Sequence, residues 1–514
     1  MNGFDLSEVS DIKLGGSAIT AIYYGSTLLW PLAPRDYSKE YLTIKALSDS
    51  TVIFYKNSDE ISRTIQYSKN KRTWSTISFG KFSGKDIPEE YKVSLLAGDK
   101  LYLKGSNSAY CTSDGANYCS INIYEGFADI YGNIMSLIYD DNFYEQTVLT
   151  EPYSFSNLFQ CAYSVNQYIK DASNLILPAT TLSPYCYNNM FYRCMLLKSA
   201  PELPATTLAD NCYQNMFSFC NSLKSAPELP ATTLADGCYN NMFASCEQLT
   251  VAPELPATTL ANHCYSLMFH GCGLLKAPEL PATTLADGCY SYMFSNCTSL
   301  TSAPELPVTT LADGCYYHMF NNCTSLTSAP ELPATTLKYN CYNGMFSGCK
   351  KLLIAPYLPA TTLYTGCYAY MFDGCTSLTS TPELPATTLY TGCYHGMFIG
   401  CTSLTSATEL PATTLAVSCY AEMFRGCTNL AISPDLPATT LEENCYKYMF
   451  YDCNNLIYIK CLATDADYNY IKNNSTEDWV NGVSSKGTFV KNPNMANWFT
   501  GTSGIPSGWK VQNA

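Results

Sequence analysis

The sequence has little charge, almost no histidine and no long apolar run. Asp, Glu, Lys and Arg together make up 14% of its 514 residues, and the formal net charge is -14. No stripe of Lys and Arg runs along any segment, so nothing is available to neutralise a phosphate backbone or an anionic membrane surface. No nucleic-acid partner is expected. No stretch of about 18 apolar residues occurs either, so no membrane insertion is expected. The opening MNGFDLSEVSDIKLGG has neither a basic nor an apolar leader segment. The expectation drawn from it is a chain that stays in the cytoplasm or leaves the cell without a cleaved leader, as by lysis.

The motifs of catalysis are missing as well. There is no Ser-His-Asp spacing, no HExxH and no glycine-rich phosphate loop. The four histidines, His263, His270, His318 and His395, are scattered, and the CxxC-type spacing of zinc sites is absent. The expectation is therefore no enzyme, no catalytic, cofactor-binding or metal-binding residue, and no cofactor. Glu202, Glu228, Glu254, Glu279, Glu305 and Glu331 recur at a near-constant step. That regularity reads as an exposed acidic row rather than a catalytic carboxylate pair, which needs two residues at a set separation.

Cysteine, by contrast, is abundant, with 26 residues. Eleven of them, from Cys186, Cys212 and Cys238 to Cys445, are each followed eight positions later by another, from Cys194, Cys220 and Cys246 to Cys453. The step is 26 residues, except for 25 between Cys264 and Cys289. One residue is missing between Cys272 and Glu279, where a bend or a tightened turn is expected. One unit reads LPATTLADGCYSYMFSNCTSLTSAPE. Self-similarity at this period marks stacked supersecondary units. Leu, Pro, Thr-Thr, Cys-Tyr, Met-Phe, Cys and a following Leu scarcely vary. The two residues between Tyr and Met, and those just before the second Cys, vary freely. Invariant apolar positions should point inward and variable polar ones outward.

Cys, Met and Cys at i, i+4 and i+8 predict a short helix of about two turns, with Tyr at its edge. A helix would separate the two cysteines by about 12 Å, too far for a disulfide, which needs Cα atoms within roughly 7 Å. Buried free thiols are the favoured reading. Disulfides between units and metal ligation stay open as alternatives. LTSAPE reads as extended backbone, Pro-Glu-Leu-Pro as turns, and Thr-Thr-Leu as a β-branched piece.

The flanks divide the rest. Residues 1–34 carry a hairpin pattern ending on Trp30 and read as a small β attachment module. Residues 35–130 carry candidate strands YLTIKAL, TVIFYK, RTIQYS, WSTISF, YKVSLLA and KLYLKG, spaced as in a β-sandwich. A bridge between Cys111 and Cys119 is left open. Residues 131–185 read as an N-terminal cap of degenerate repeats, with Cys161 after Leu158-Phe159 in the manner of a second cysteine. Residues 186–460 are the solenoid. In 461–514, Trp479, Trp498, Trp509 and Phe489 read as a C-terminal cap, with a glycan-binding cluster as the functional alternative. The fold class is mixed α/β: a solenoid of eleven coils behind a small β module and a sandwich-like domain.

The unit LPxTTL…CYxxMFxxCxxL resembles the BspA-type leucine-rich repeat family over roughly residues 150–460. Met190-Phe191 and Met293-Phe294 stand where that family has Ala-Phe. Cys194 and Cys297 match its cysteine, and Leu300 the leucine that follows. The added first cysteine, such as Cys186 or Cys289, departs from the common form. The resemblance implies adhesion at a cell surface, with no catalytic or ligand residue carried over. IKLGGSAITAIYYGSTLLWP and GTFVK…GIPSGWKV look like modules of proteins encoded by phages of gut Bacteroidales. Together these imply a virion fiber or decoration protein. Its N-terminal region would hold other virion proteins, its solenoid would contact a host surface glycan or protein, and a homotrimer is the default for such a fiber. A bacterial surface adhesin and a virion scaffold without host ligand are the alternatives.

Overall fold

The computed structural model describes residues 36–82, 87–161, 167–464, 474–495 and 498–514. Before residue 36 it describes only the backbone of two hairpins, β1 (Lys13–Leu14) with β2 (Ser17–Ala18) and β3 (Ile22–Tyr24) with β4 (Thr27–Trp30). The attachment role expected of residues 1–34 otherwise lies outside the described residues.

Each of the six candidate segments carries a strand: β5 (Leu42–Ala46), β6 (Ser50–Lys56), β7 (Thr64–Ser68), β8 (Ser75–Ser78), β9 (Lys92–Leu95) and β10 (Lys100–Lys104). With β11 (Cys119–Glu125), β12 (Ala128–Asn133) and β13 (Ile169–Ile176) they form two sheets. One has the order β13-β12-β5-β10-β7-β8, the other β11-β6-β9. Alternation along β6 shows why. Val52 and Phe54 join the main core, whereas Ile53 packs with Ile87 on the opposite face. β12 runs across residue 130, and β13 pairs parallel to it. Cys111 and Cys119 are both buried and free, so no bridge joins them.

The repeat contains no α-helix; Ser136–Tyr139 is the one α-helix among the described residues. The expected two-turn helix is replaced by consecutive four-residue turns. Tyr185, Asn189 and Arg193 have φ of 56°, 55° and 62°. The same left-handed conformation returns at every fourth residue in later coils, as at Gly392, Gly396 and Gly400. A helix cannot contain such residues. Four-residue turns share the i, i+4, i+8 apolar spacing of a helix, so that spacing alone does not separate the two.

The backbone hydrogen bonds follow one rule. Asn188, Met190, Tyr192 and Cys194 N–H donate three residues back, to Tyr185, Tyr187, Asn189 and Phe191. The intervening Tyr187, Asn189, Phe191 and Arg193 N–H donate to the next coil, at Cys212, Gln214, Met216 and Ser218. Half the donors therefore close turns and half join coils, and no backbone group of the segment is orphaned. Single parallel bridges tie two further rows together: the serines Ser199↔Ser225 and Ser380↔Ser406, and the threonines Thr233↔Thr259↔Thr284 and Thr336↔Thr362↔Thr388. The serine row runs into true strands at both ends, through Asp171 of β13 and through Tyr458 of β14 (Tyr458–Cys461).

Inside the coils, side chains stack in columns. Tyr187, Tyr213, Tyr239 and their successors to Tyr446 are at most 2% exposed. Their rings lie parallel, with centroids 5.6–6.1 Å apart. The Tyr predicted at the edge of a helix is thus a core residue. Phe191, Phe217 and Phe243 form a second column. Each stacked pair adds about 0.5–1.5 kcal/mol beyond its buried area.

Both ends are closed. The carbonyls of Ser154, Ser156, Leu158 and Gln160 point out of the first turn segment. They accept from Tyr110 N–H, Cys111 Sγ, Ile121 N–H and Asn122 Nδ2. Cys161 donates to Tyr192 O there. It therefore occupies the site equivalent to Arg193, one residue short of the second-cysteine position expected from Leu158-Phe159. At the other end, Tyr446, Tyr448, Phe450 and Asp452 N–H donate to Ser475, Glu477, Trp479 and Asn481. Trp479 is fully buried, stacks under Tyr446 and donates its Nε1 to Gly504 O. β14, β15 (Thr488–Lys491) and β16 (Lys510–Asn513) form a parallel sheet beside it.

Candidate functional site

The buried free thiols favoured from the sequence can be set against metal ligation, disulfides and nucleophile chemistry on the cysteines themselves. All are free, and all but Cys161 are buried. Burial pushes the Cys289 and Cys297 thiols up to about 12, and Cys194 well above the usual range. A thiol held protonated is neither a nucleophile nor a metal ligand at neutral pH. Each second-column sulfhydryl instead donates to the phenylalanine carbonyl of the coil before it, such as Cys246 to Phe217 O at 3.1 Å. Burial also lowers His270, His318 and His395, keeping them neutral near pH 7. Among the described residues no group of three or more His, Cys, Asp or Glu could hold a metal ion.

The surface that remains has three parts. Glu202, Glu228, Glu254, Glu279, Glu305 and Glu331 are all exposed and stand in one row. Beside this row lie clefts between the Pro-Glu-Leu-Pro segments of adjoining coils. One of 670 Å³ is lined by Val251–Pro256, Leu275–Glu279 and Pro281, and one of 600 Å³ by Ala303–Pro307, Ser328–Glu331 and Pro333. The first lies at the shortened coil. The missing residue falls between Cys272 and Leu274, where Gly273 does the work of two residues. A Cβ at Gly273 would sit 2.3 Å from Glu247 O, so only glycine fits. Leu274 is fully buried, back in the leucine row, and the register is recovered.

The third part is the turn face, where the variable residues stand. A groove of 470 Å³ crosses several coils there, lined by Asn189, Tyr192, Asn215, Ser218, Phe219, Asn241, Leu267 and His270 among others. The threonine pairs are also exposed, as at Thr258-Thr259 and Thr335-Thr336.

These stacked coils, with a buried leucine row and two buried cysteine columns, have the form of a leucine-rich repeat. The family described as BspA type leucine rich repeat region (6 copies) matches residues 213–353, 262–394 and 365–478, together more than half of the chain. The chain belongs to this family. No curated protein matches it. As a BspA-type repeat protein it is a non-catalytic scaffold, a surface module suited to binding protein or another ligand. Among the described residues no helix is long and apolar enough to cross a membrane.

Sequence reasoning placed the variable residues outward but did not see what they form. The groove depends on left-handed turns that bring every fourth residue to one face. The signal for it was the run of Gly and Asn at those positions. Of the aromatic cluster near the C-terminus, Trp479 and Phe489 are fully buried and Trp509 is 7% exposed, whereas Trp498 is half-buried and packs on Trp479 and Phe489. The first three offer no open ring face to a sugar.

Proposed function

We propose that the protein is a non-catalytic adhesin of a bacterial surface, in which the eleven cysteine pairs mark eleven coils of one continuous solenoid. Residues 1–34 attach it, 35–130 and 131–185 hold the N-terminal end of the coils, 186–460 carry the binding face, and 461–514 close the far end. The observation that carries this reading is the contrast within each coil. Buried Cys, Tyr, Met, Phe and Leu repeat almost unchanged, while the exposed turn residues change from coil to coil. A uniform core with a varied surface separates stability from recognition. Many weak contacts along one face then gain from each other once the first is made.

The test is adhesion of the full-length chain, coated on a surface, to host epithelial cells and to extracellular-matrix proteins. Binding that falls gradually as turn residues of successive coils are replaced supports the reading. An absence of binding to either target would refute it. A second reading, a virion fiber or decoration protein with homotrimeric assembly, draws on the likeness of the two flanks alone. Finding the chain in purified phage particles would favour it over the first.

A further inference from the structure

We propose that the groove on the turn face around Phe219 is a binding site for a neutral saccharide. This rests on the adhesin reading and names the ligand class for one part of its face.

Phe219 is the residue that calls for an explanation. It has a φ of 61° and is 37% exposed. At the ten equivalent positions of other coils, seven hold Gly or Asn, among them Gly271, Asn296, Gly348 and Gly374. Those residues adopt the left-handed conformation at least cost. A phenylalanine there accepts backbone strain and still leaves more than a third of its surface in solvent. A strained, exposed aromatic is a mark of function rather than of packing.

The surroundings fit one chemistry. Tyr192 meets Phe219 edge-on at 5.7 Å, and the Arg193 guanidinium lies over both rings, 5.3 Å and 5.6 Å from their centroids. This fixes an aromatic platform at the groove. Asn189, Asn215 and Asn241 follow one another in three successive coils and line the same groove. The Asn189 and Asn241 amide nitrogens donate to Asn188 and Asn240 Oδ1 at 2.8 Å, which fixes the two carboxamides in place. Carboxamides offer both donors and acceptors, as a ring of hydroxyls requires, and the C–H face of a pyranose packs on an aromatic ring. His270, neutral and with its Nδ1 buried without a partner, closes the groove without adding charge. The 470 Å³ volume lies within the ordinary range of small-ligand sites.

The experiment probes the full-length chain on an array of neutral oligosaccharides built from glucose, mannose, galactose and N-acetylhexosamines, then titrates the strongest hit by calorimetry. The variants are Phe219→Asn and Asn215→Gly, both suited to a left-handed residue. Phe219→Asn should lower affinity at least tenfold while its urea midpoint stays the same or rises, which separates lost recognition from lost folding. Asn215→Gly should lower affinity several-fold. Failure of every neutral sugar to bind, or wild-type affinity in both variants, would overturn the assignment. If cells still adhere while no neutral sugar binds, the saccharide site falls and the adhesin reading stands. If Phe219→Asn loses the sugar but keeps adhesion to cells, the saccharide site stands and other coils carry adhesion.

Discussion

The Cys220 sulfhydryl donates to the Phe191 carbonyl across a coil boundary, at 3.2 Å. The relationship recurs down the column, as from Cys297 to Phe269 O and from Cys453 to Phe424 O, both at 3.0 Å. The first-column cysteines are equally buried; Cys289 donates to no phenylalanine carbonyl, and at the far end Cys445 makes only a long contact, 4.0 Å to Ser475 O. The two cysteines of a coil therefore differ in role although they look alike in sequence. Cys297→Ala should cost about 0.5–1 kcal/mol more than Cys289→Ala, the net worth of a weak hydrogen bond, as measured by urea unfolding.

Buried thiols and phenols make the fold sensitive to alkali. Burial raises Cys375 and Cys427 from the usual 9.0 to about 12, and the Tyr column well above its usual range. A group whose folded value is raised gives its full stability below its unfolded value and loses it as pH rises toward the folded one. Between about pH 9 and 12 each such thiol should cost about 1.4 kcal/mol per pH unit. Circular dichroism across pH 7–11 should show a steep cooperative loss of structure above about pH 9.5. Alkylation at pH 8 should reach Cys161 before any cysteine of the columns.

Two glycines should fail for different reasons. Gly374 has a φ of 69°, yet a Cβ there would find nothing nearer than 3.7 Å. Gly374→Ala should cost only the backbone penalty, about 1–2 kcal/mol. Gly273 does not have this conformation, but its Cβ would strike Glu247 O. Gly273→Ala must move backbone and should cost about 3 kcal/mol. In the opposite direction Ser418→Gly, at a φ of 53°, should gain about 0.5–1 kcal/mol. Denaturant midpoints of the three variants check the order.

Trp479 is the last ring under the tyrosine column. Trp479→Ala should cost about 3–5 kcal/mol. Because each coil is held mainly by its neighbours, the loss should be local. Hydrogen exchange should accelerate at Tyr446–Asp452 first and leave Tyr187–Arg193 unchanged.

Much of this fold was legible in the sequence. The paired cysteines gave the period, and the fixed Met-Phe and Leu gave the buried positions. The strands of 35–130 were visible because β5 and β6 are rich in β-branched and aromatic residues. The turn segment was misread because Cys186, Met190 and Cys194 have the same spacing on a helix as on four-residue turns. Gly392, Gly396 and Gly400 decide between them, since glycine every fourth residue makes a poor helix and a good left-handed corner. The groove was legible only in its left-handed corners and not in its lining. It is made by residues a whole coil apart, Asn189 beside Asn215 and Tyr192 beside Phe219, and only the stacking register brings them together.

The backbone bonds that join the turn segments of neighbouring coils all run one way, each coil's N–H groups donating to carbonyls of the next. An interior unit thus presents the same two faces whatever its place in the row. A duplication or loss of one whole unit in the gene would leave every other bond as it was and both closed ends untouched. The length of the molecule, and so its reach from whatever surface holds it, is a trait that inheritance can change in whole steps.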